Sequence, residues 1–407
     1  MRHTAFALLT AALLLTACRG GRNDGPIGVS IIGEQSELAA GQSATQEGLV
    51  RFDREGQVVP GAAARWAILD DGLDYIFRID DQAGMSAQVI ARRLRESLRK
   101  QRRDPDFAAM APVESIQAVT RTVIEIRLTM PQPDLLPLLA RPELAVAAPG
   151  PLALGRPGGN GRRLEPRPGE AGVPVLLHVD RASRAVIRFQ RGETALVLGG
   201  TFADLGIARA AQIPRKAFRF DPATGLFGFA IRNPNMPTAI RTALSLAIDR
   251  DRIVANIGAP GQTKATTIAG SVLESALAQR RASALALLGG KSTHLRVAMP
   301  RGPGARLLFA LVAQDWSRIG ISAEMVPPDA HDADLALIDH VAPPGTLSML
   351  ACVLSAGCDP RDRPALINPP FIPVATPVRW SLVAPGLDLF TENALAAHPL
   401  DQLRSRR

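Results

Sequence analysis

Aromatic side chains are scarce in this sequence: one Tyr, three Trp and thirteen Phe among 407 residues. Trp66, Trp316 and Trp380 each sit in an apolar-periodic context, which marks them as core residues rather than a ligand platform. Long apolar runs are also wanting. The run at residues 5–15 is too short to cross a bilayer, and no later stretch could span one. None of the six histidines has a partner Ser or Cys in a nucleophile motif, so a hydrolytic triad is excluded. Gly290-Lys291-Ser292 mimics the end of a phosphate loop, but Leu285 stands where the first Gly is required. Gly158-Gly159-Asn160-Gly161 has no strand before it and no helix after it, so it is no dinucleotide fingerprint. No catalytic residue and no cofactor are expected, and the chain reads as a non-enzyme.

What is present is ordinary globular composition, 46% hydrophobic and 21% charged. At 407 residues the chain exceeds one typical core, so two lobes are expected. The formal charge is +9, from 47 basic and 38 acidic residues. The arginines are scattered among apolar residues, which argues against a nucleic-acid partner. One dense run occurs: Arg92, Arg93, Arg95, Arg99, Lys100, Arg102 and Arg103. It reads as a solvated helix face, with contact to anionic headgroups as the lesser alternative.

Of three cysteines, one sits near the start. Arg2 and His3 precede the apolar run, and Leu15-Thr16-Ala17-Cys18 follows it. This resembles a bacterial lipobox, in which the chain is cut before a Cys that receives lipid. The reading gives a signal peptide at 1–17, lipidation at Cys18, a flexible tether at 18–26, and a periplasmic protein held on a membrane. Cys352 and Cys358 remain. In an oxidising compartment an even pair suggests a disulfide; two reduced, buried thiols are the alternative.

Residues 226–260 organise the remainder. An apolar run at 226–231 has strand length, and Asn233-Pro234 and Met236-Pro237 punctuate it, with Pro237 placed to open a helix. Ile240, Ala243, Leu244, Ala247 and Ile248 then form one helical face. Asp251 is the expected cap of a short second helix carrying Ile253 and Val254, which Gly258 stops.

Elsewhere the chain predicts a first strand at 27–32 and a helix at 86–103 with Val89, Ile90, Leu94 and Leu98 on its apolar side. A period-two strand ends at Leu128, and a Leu-rich helix lies among Pro131, Pro133 and Pro137. Residues 149–172 read as an exposed loop. Strands are expected at 173–179, 185–190, 194–198 and 335–338, and an apolar helix at 271–288. Residues 295–299, 305–319 and 321–326 form a βαβ unit with parallel strands and Gly320 as helix stop.

The wording of two stretches carries a resemblance. Residues 47–79 contain Gly48, Leu49, Asp53, Gly56, Pro60, Ala64, Trp66, Asp71, Gly72, Tyr75 and Phe77 at the spacing of the early segment of extracellular solute-binding proteins of the peptide/nickel type, family 5, which serve ABC importers. The strand, Asn-Pro and "R-x-A-L-S-x-A-I-D-R-x-x-I-V" of 226–254 are similar to the same family's entry into its second lobe. The closing stretch 371–403 also resembles it. Departures are Ala63 where Leu is usual, the missing Trp-x-Asp-Gly turn after residue 79, and a shorter chain.

The resemblance implies an α/β fold of the periplasmic-binding-protein-like type II class: two lobes of mixed sheet with flanking helices and a hinged interlobe cleft. Lobe 1 is expected at 27–235 plus 366–407, with a reduced extra subdomain at about 48–148, and lobe 2 at 236–365. It implies a monomeric binder of peptides or similar small solutes that delivers them to an ABC permease in the inner membrane. By the same resemblance Asp359, in an Asp-Pro segment, is the candidate partner for a ligand's amino terminus. A diverged member that no longer transports and acts as an envelope interaction or structural lipoprotein is the rival. His331, Asp332, Asp334, Asp339 and His340 cluster in sequence, but Asp334 and Asp339 bracket a short strand and need not converge, so no metal site is expected.

Overall fold

The computed structural model describes residues 25–33, 37–81, 84–146, 148–158, 161–268, 270, 274–388 and 390–405. The leader and Cys18 lie outside the described residues.

Two mixed sheets carry the molecule. The first has seven strands in the order Leu152–Gly158, Gly161–Pro166, Val175–Asp180, Ile27–Ile32, Leu196–Thr201, Arg379–Val383 and Phe218–Asp221. Ile27–Ile32 lies parallel to both of its neighbours. One face packs on helix Glu37–Thr45 through Val29, Leu164, Val175 and Leu196, and the other on helix Ala182–Gln190 through Val197, Ala185 and Val186. The second sheet has five strands in the order Ile321–Val326, Thr293–Ala298, Leu335–Val341, Gly225–Ile231 and Phe371–Ala375. Its first two are parallel and joined by helix Pro303–Ser317, as the sequence periodicity implies. This is the periplasmic-binding-protein-like type II class.

A four-stranded antiparallel sheet, in the order Ala63–Leu69, Asp74–Ile79, Val123–Leu128 and Val113–Ala118, forms the subdomain. Helix Ala87–Gln101 closes it with Ala87, Ile90, Ala91 and Leu94 inward, while Arg92, Arg95, Arg99 and Lys100 face solvent. Arg93 bends back to donate to the Val146 carbonyl at 3.2 Å.

The chain passes between the two large sheets twice, at 222–224 and 376–378. At the first passage Gly225 lies so close to the second sheet that a Cβ would stand 1.9 Å from the His340 carbonyl oxygen. The sheets share one apolar core, where Phe202 meets Phe227 edge-on at 4.8 Å. Trp316 and Trp380 are fully buried, and their indole N–H groups donate to the Leu244 and Thr201 carbonyls. Trp66 is half-buried against the subdomain core.

Three readings need correction. Residues 185–190 belong to helix Ala182–Gln190, because Ala182, Ala185 and Val186 recur on a helical face and need a sheet to cover. Residues 149–172 are not an open loop: Leu152–Gly158 and Gly161–Pro166 pair antiparallel at the sheet edge, where prolines are tolerated and Leu152 and Leu164 are buried. The cap of helix Arg250–Ile257 is Asp249, whose carboxylate accepts from the Arg252 N–H, while Asp251 reaches Lys264 at 2.8 Å. Strands Gly225–Ile231 and Phe371–Ala375 pair within the five-stranded sheet, so that sheet extends beyond 236–365 on both sides.

Candidate functional site

Parallel strands end where ligands gather in open α/β sheets, because the chain turns away and leaves a crevice. Here Ile31 and Leu198, near the C-terminal ends of two adjacent parallel strands, open onto a cavity of about 400 Å³. The subdomain borders it through Glu47, Arg51 and Arg141, and the second sheet through Val341 and Pro343. The C-terminal stretch 395–401 completes the wall. All three parts of the fold therefore meet at one gap, of a size that suits a small organic solute.

Its polar wall is built from distant pieces. Arg51, on the short strand Val50–Phe52, reaches Asp401 with Nη1 at 3.0 Å and places Nε 3.4 Å from Glu47. Burial pushes the Glu47 carboxyl up to about 7, against the pull of Arg51. Arg141 follows the Leu-rich helix Leu135–Leu139, pairs with Asp106 at 2.8 Å and Glu143 at 3.3 Å, and lies over the Phe107 ring. His398 stacks on Phe390 and faces Asp221 at 3.1 Å.

Two contacts tie the second sheet to its neighbours. His340 Nε2 lies 2.9 Å from Asp106 of the subdomain. Burial pushes the Asp106 carboxyl up, but His340 and Arg141 outweigh it and hold it below the usual carboxylate range. Arg379, at the second passage between sheets, donates to the Asp339 carboxylate at 2.7 Å and to its carbonyl at 3.0 Å. Burial raises the Asp339 carboxyl, and Arg379 opposes the rise.

The residues named from sequence do not all meet here. Asp359 is half exposed, off the cavity wall, and clasped by Arg361 through its backbone N–H, Nε and Nη2 at 2.9, 3.0 and 2.9 Å. Those bonds hold its carboxyl below the usual range. Cys352 and Cys358 are joined, with Cα atoms 5.3 Å apart, at the end of helix Leu347–Val353, which packs against residues 105–110 of the subdomain. The five His and Asp residues of 331–340 disperse. His331 is exposed, Asp332 pairs with Arg296, and Asp334 accepts from Asn233 Nδ2 at 2.9 Å. Asp339 and His340 make the two contacts with the neighbouring parts. Among the described residues no three His, Cys, Asp or Glu side chains gather as a metal needs.

Sequence reasoning passed over Glu47, Arg51, Arg141 and Asp401. Glu47 opens the very stretch that carries the family resemblance, but its neighbour Asp401 is fixed only by the fold; Arg51 and Asp401 are 350 residues apart.

Scanned against family models the chain matches none, and no curated protein matches it. Solved structures do match. The Haemophilus influenzae OppA complex with RPPGFSPFR aligns over 94% of this chain and 99% of its own, at 15% identity and TM-score 0.72. The Escherichia coli murein tripeptide binding protein MppA aligns over the same shares at 16% identity and TM-score 0.71. NikZ from Campylobacter jejuni, in complex with Ni(L-His), aligns over 93% of this chain and 98% of its own at 14% identity and TM-score 0.68. At such identities the likeness establishes the fold. No helix among the described residues is long and apolar enough to cross a membrane.

Proposed function

We propose that this chain is a lipid-anchored periplasmic solute-binding protein of an ABC importer, which captures a peptide or similar small solute between its lobes and passes it to an inner-membrane permease. The observation that carries the reading is the cavity itself. It lies at the strand ends, is walled by both sheets and the subdomain, and sits in a fold whose solved examples include complexes with a peptide and with Ni(L-His). The lipobox-like Leu15-Thr16-Ala17-Cys18 supports the anchor. Two carboxylates compete for a ligand's cationic group: Asp359, from the resemblance, and Glu47, on the wall.

A binder gains stability from a ligand that prefers the folded state, by RT ln(1 + [L]/Kd). Protein purified from its host should release a co-purified solute in native mass spectrometry and melt higher when that solute is returned. Absence of any solute, and of any ligand-dependent melting shift across peptide libraries, would favour the second reading, a non-transporting envelope lipoprotein. That reading draws support from the contacts that already hold the subdomain, His340 to Asp106 and helix Leu347–Val353 to residues 105–110. For the anchor, Cys18→Ser should release the protein from the membrane fraction.

A further inference from the structure

We propose that the cavity takes a solute bearing an ammonium or guanidinium group and that the Glu47 carboxylate is the counter-ion that receives it. This rests on the solute-binding reading above and narrows it to a class of ligand and a residue.

The charge of the wall runs against that of the chain. The protein carries +9 overall, yet Glu47, Glu143 and Asp401 line the cavity against only Arg51 and Arg141. Both guanidinium groups are committed. Arg51 gives Nη1 to Asp401 and Nε to the Pro60 carbonyl, and Arg141 gives its Nη2 to Asp106 and Glu143. An anionic solute entering the cavity would have to compete with these carboxylates for either guanidinium.

Glu47 is the uncommitted member. Its side chain is only 17% exposed, and its one ionic contact is Arg51 Nε at 3.4 Å, an N–H already given to Pro60. Among the described residues it accepts no hydrogen bond. A buried carboxylate without such bonds is costly, and a ligand cation would supply what is missing through a short, charge-assisted contact. Asp359 offers less, since Arg361 already saturates it in solvent.

The same geometry makes capture proton-linked. Burial raises the Glu47 carboxyl to about 7; Arg51 pulls it down, and Asp401 and Glu170 push it up. Arg141, Glu143 and His398 stand further along the same cavity. Near neutrality a large share of Glu47 carries a proton, and an arriving cation displaces it to solvent.

The test is isothermal titration of the full mature chain with trialanine amide and n-butylamine, their neutral N-acetyl forms, and succinate. It is run near pH 7 in buffers of differing ionisation heat. The cationic probes should bind at least about tenfold tighter than their N-acetyl forms, with proton release. Glu47→Gln should lose that margin and the proton release while its affinity for the N-acetyl forms stays the same. Glu47→Asp, which keeps the charge but retracts it, should lose only part; it also serves if the Gln variant fails to fold. Unchanged selectivity in Glu47→Gln, loss of selectivity in Asp359→Asn instead, or tighter binding of succinate would overturn the assignment and leave the solute-binding reading standing. If no probe binds the wild-type chain and none shifts its melting, the solute-binding reading falls, and this inference with it.

Discussion

On helix Pro303–Ser317 Asp315 is completely buried, yet it accepts from Arg252 at 2.8 Å, Arg281 at 2.6 Å and the Asp249 N–H at 2.9 Å. Beside it Arg250, 1% exposed, donates to the Ala265, Pro373 and Ser245 carbonyls and to Glu274. Burial lowers its guanidinium to about 10, and Glu274 resists the fall. At the cavity, Glu47 is 17% exposed and accepts no hydrogen bond among the described residues. The two regions use the same residue types and differ in saturation. A saturated network holds a structure together, because each buried charge has its full set of partners. An unsaturated one stores a cost that a ligand can remove.

The comparison can be broken in graded ways. Asp315→Ala should be the most damaging change, because it removes the buried acceptor shared by two guanidinium groups and the Asp249 N–H. A loss of about 3–5 kcal/mol is expected, read as a fall in denaturant midpoint. Glu47→Gln should act in the opposite direction. The folded carboxyl binds its proton more tightly than the unfolded one, so its contribution is intact below about 4.5 and erodes as pH rises towards about 7. Removing it should stabilise the protein by about 2 kcal/mol above neutrality and change little near pH 4, as melting curves at both pH values would show. Were Glu47→Gln destabilising at high pH, the cavity carboxylate would be a structural tie like Asp315.

Asp106 has the reverse sign. Its carboxyl is lowered, so the stability its pairs with His340 and Arg141 contribute is present above the ordinary carboxylate range and fades as pH falls through the lowered value. Asp106→Asn should cost under about 1 kcal/mol at neutral pH and flatten the acid limb of the stability profile. The smallest effect belongs to Asp359→Asn, which should leave the melting temperature where it is, since only Arg361 in open solvent depends on it.

Strongly periodic segments were legible beforehand. Helix Thr238–Ala247, helix Ala87–Gln101 and the unit running from Thr293 to Val326 follow from apolar spacing, and the same spacing assigned Trp316 and Trp380 to the core. The hairpin of Leu152–Gly158 and Gly161–Pro166 escaped because Gly, Pro and Arg mask its alternation. Helix Ala182–Gln190 escaped because its short run of small and branched residues suits either period. The cavity was the least legible of all: Glu47, Arg141 and Asp401 belong to three separate segments, and no local pattern links them.

Alone, the amino-acid order determined the strongly periodic strands and helices, since these depend on spacing within a dozen residues. It also carried the wording that points to a two-lobed binding fold. Which carboxylate would be left wanting a partner was decided only in three dimensions. The partners of a charge, and the water it loses, depend on segments that are hundreds of residues away in the chain and a few ångströms away in space.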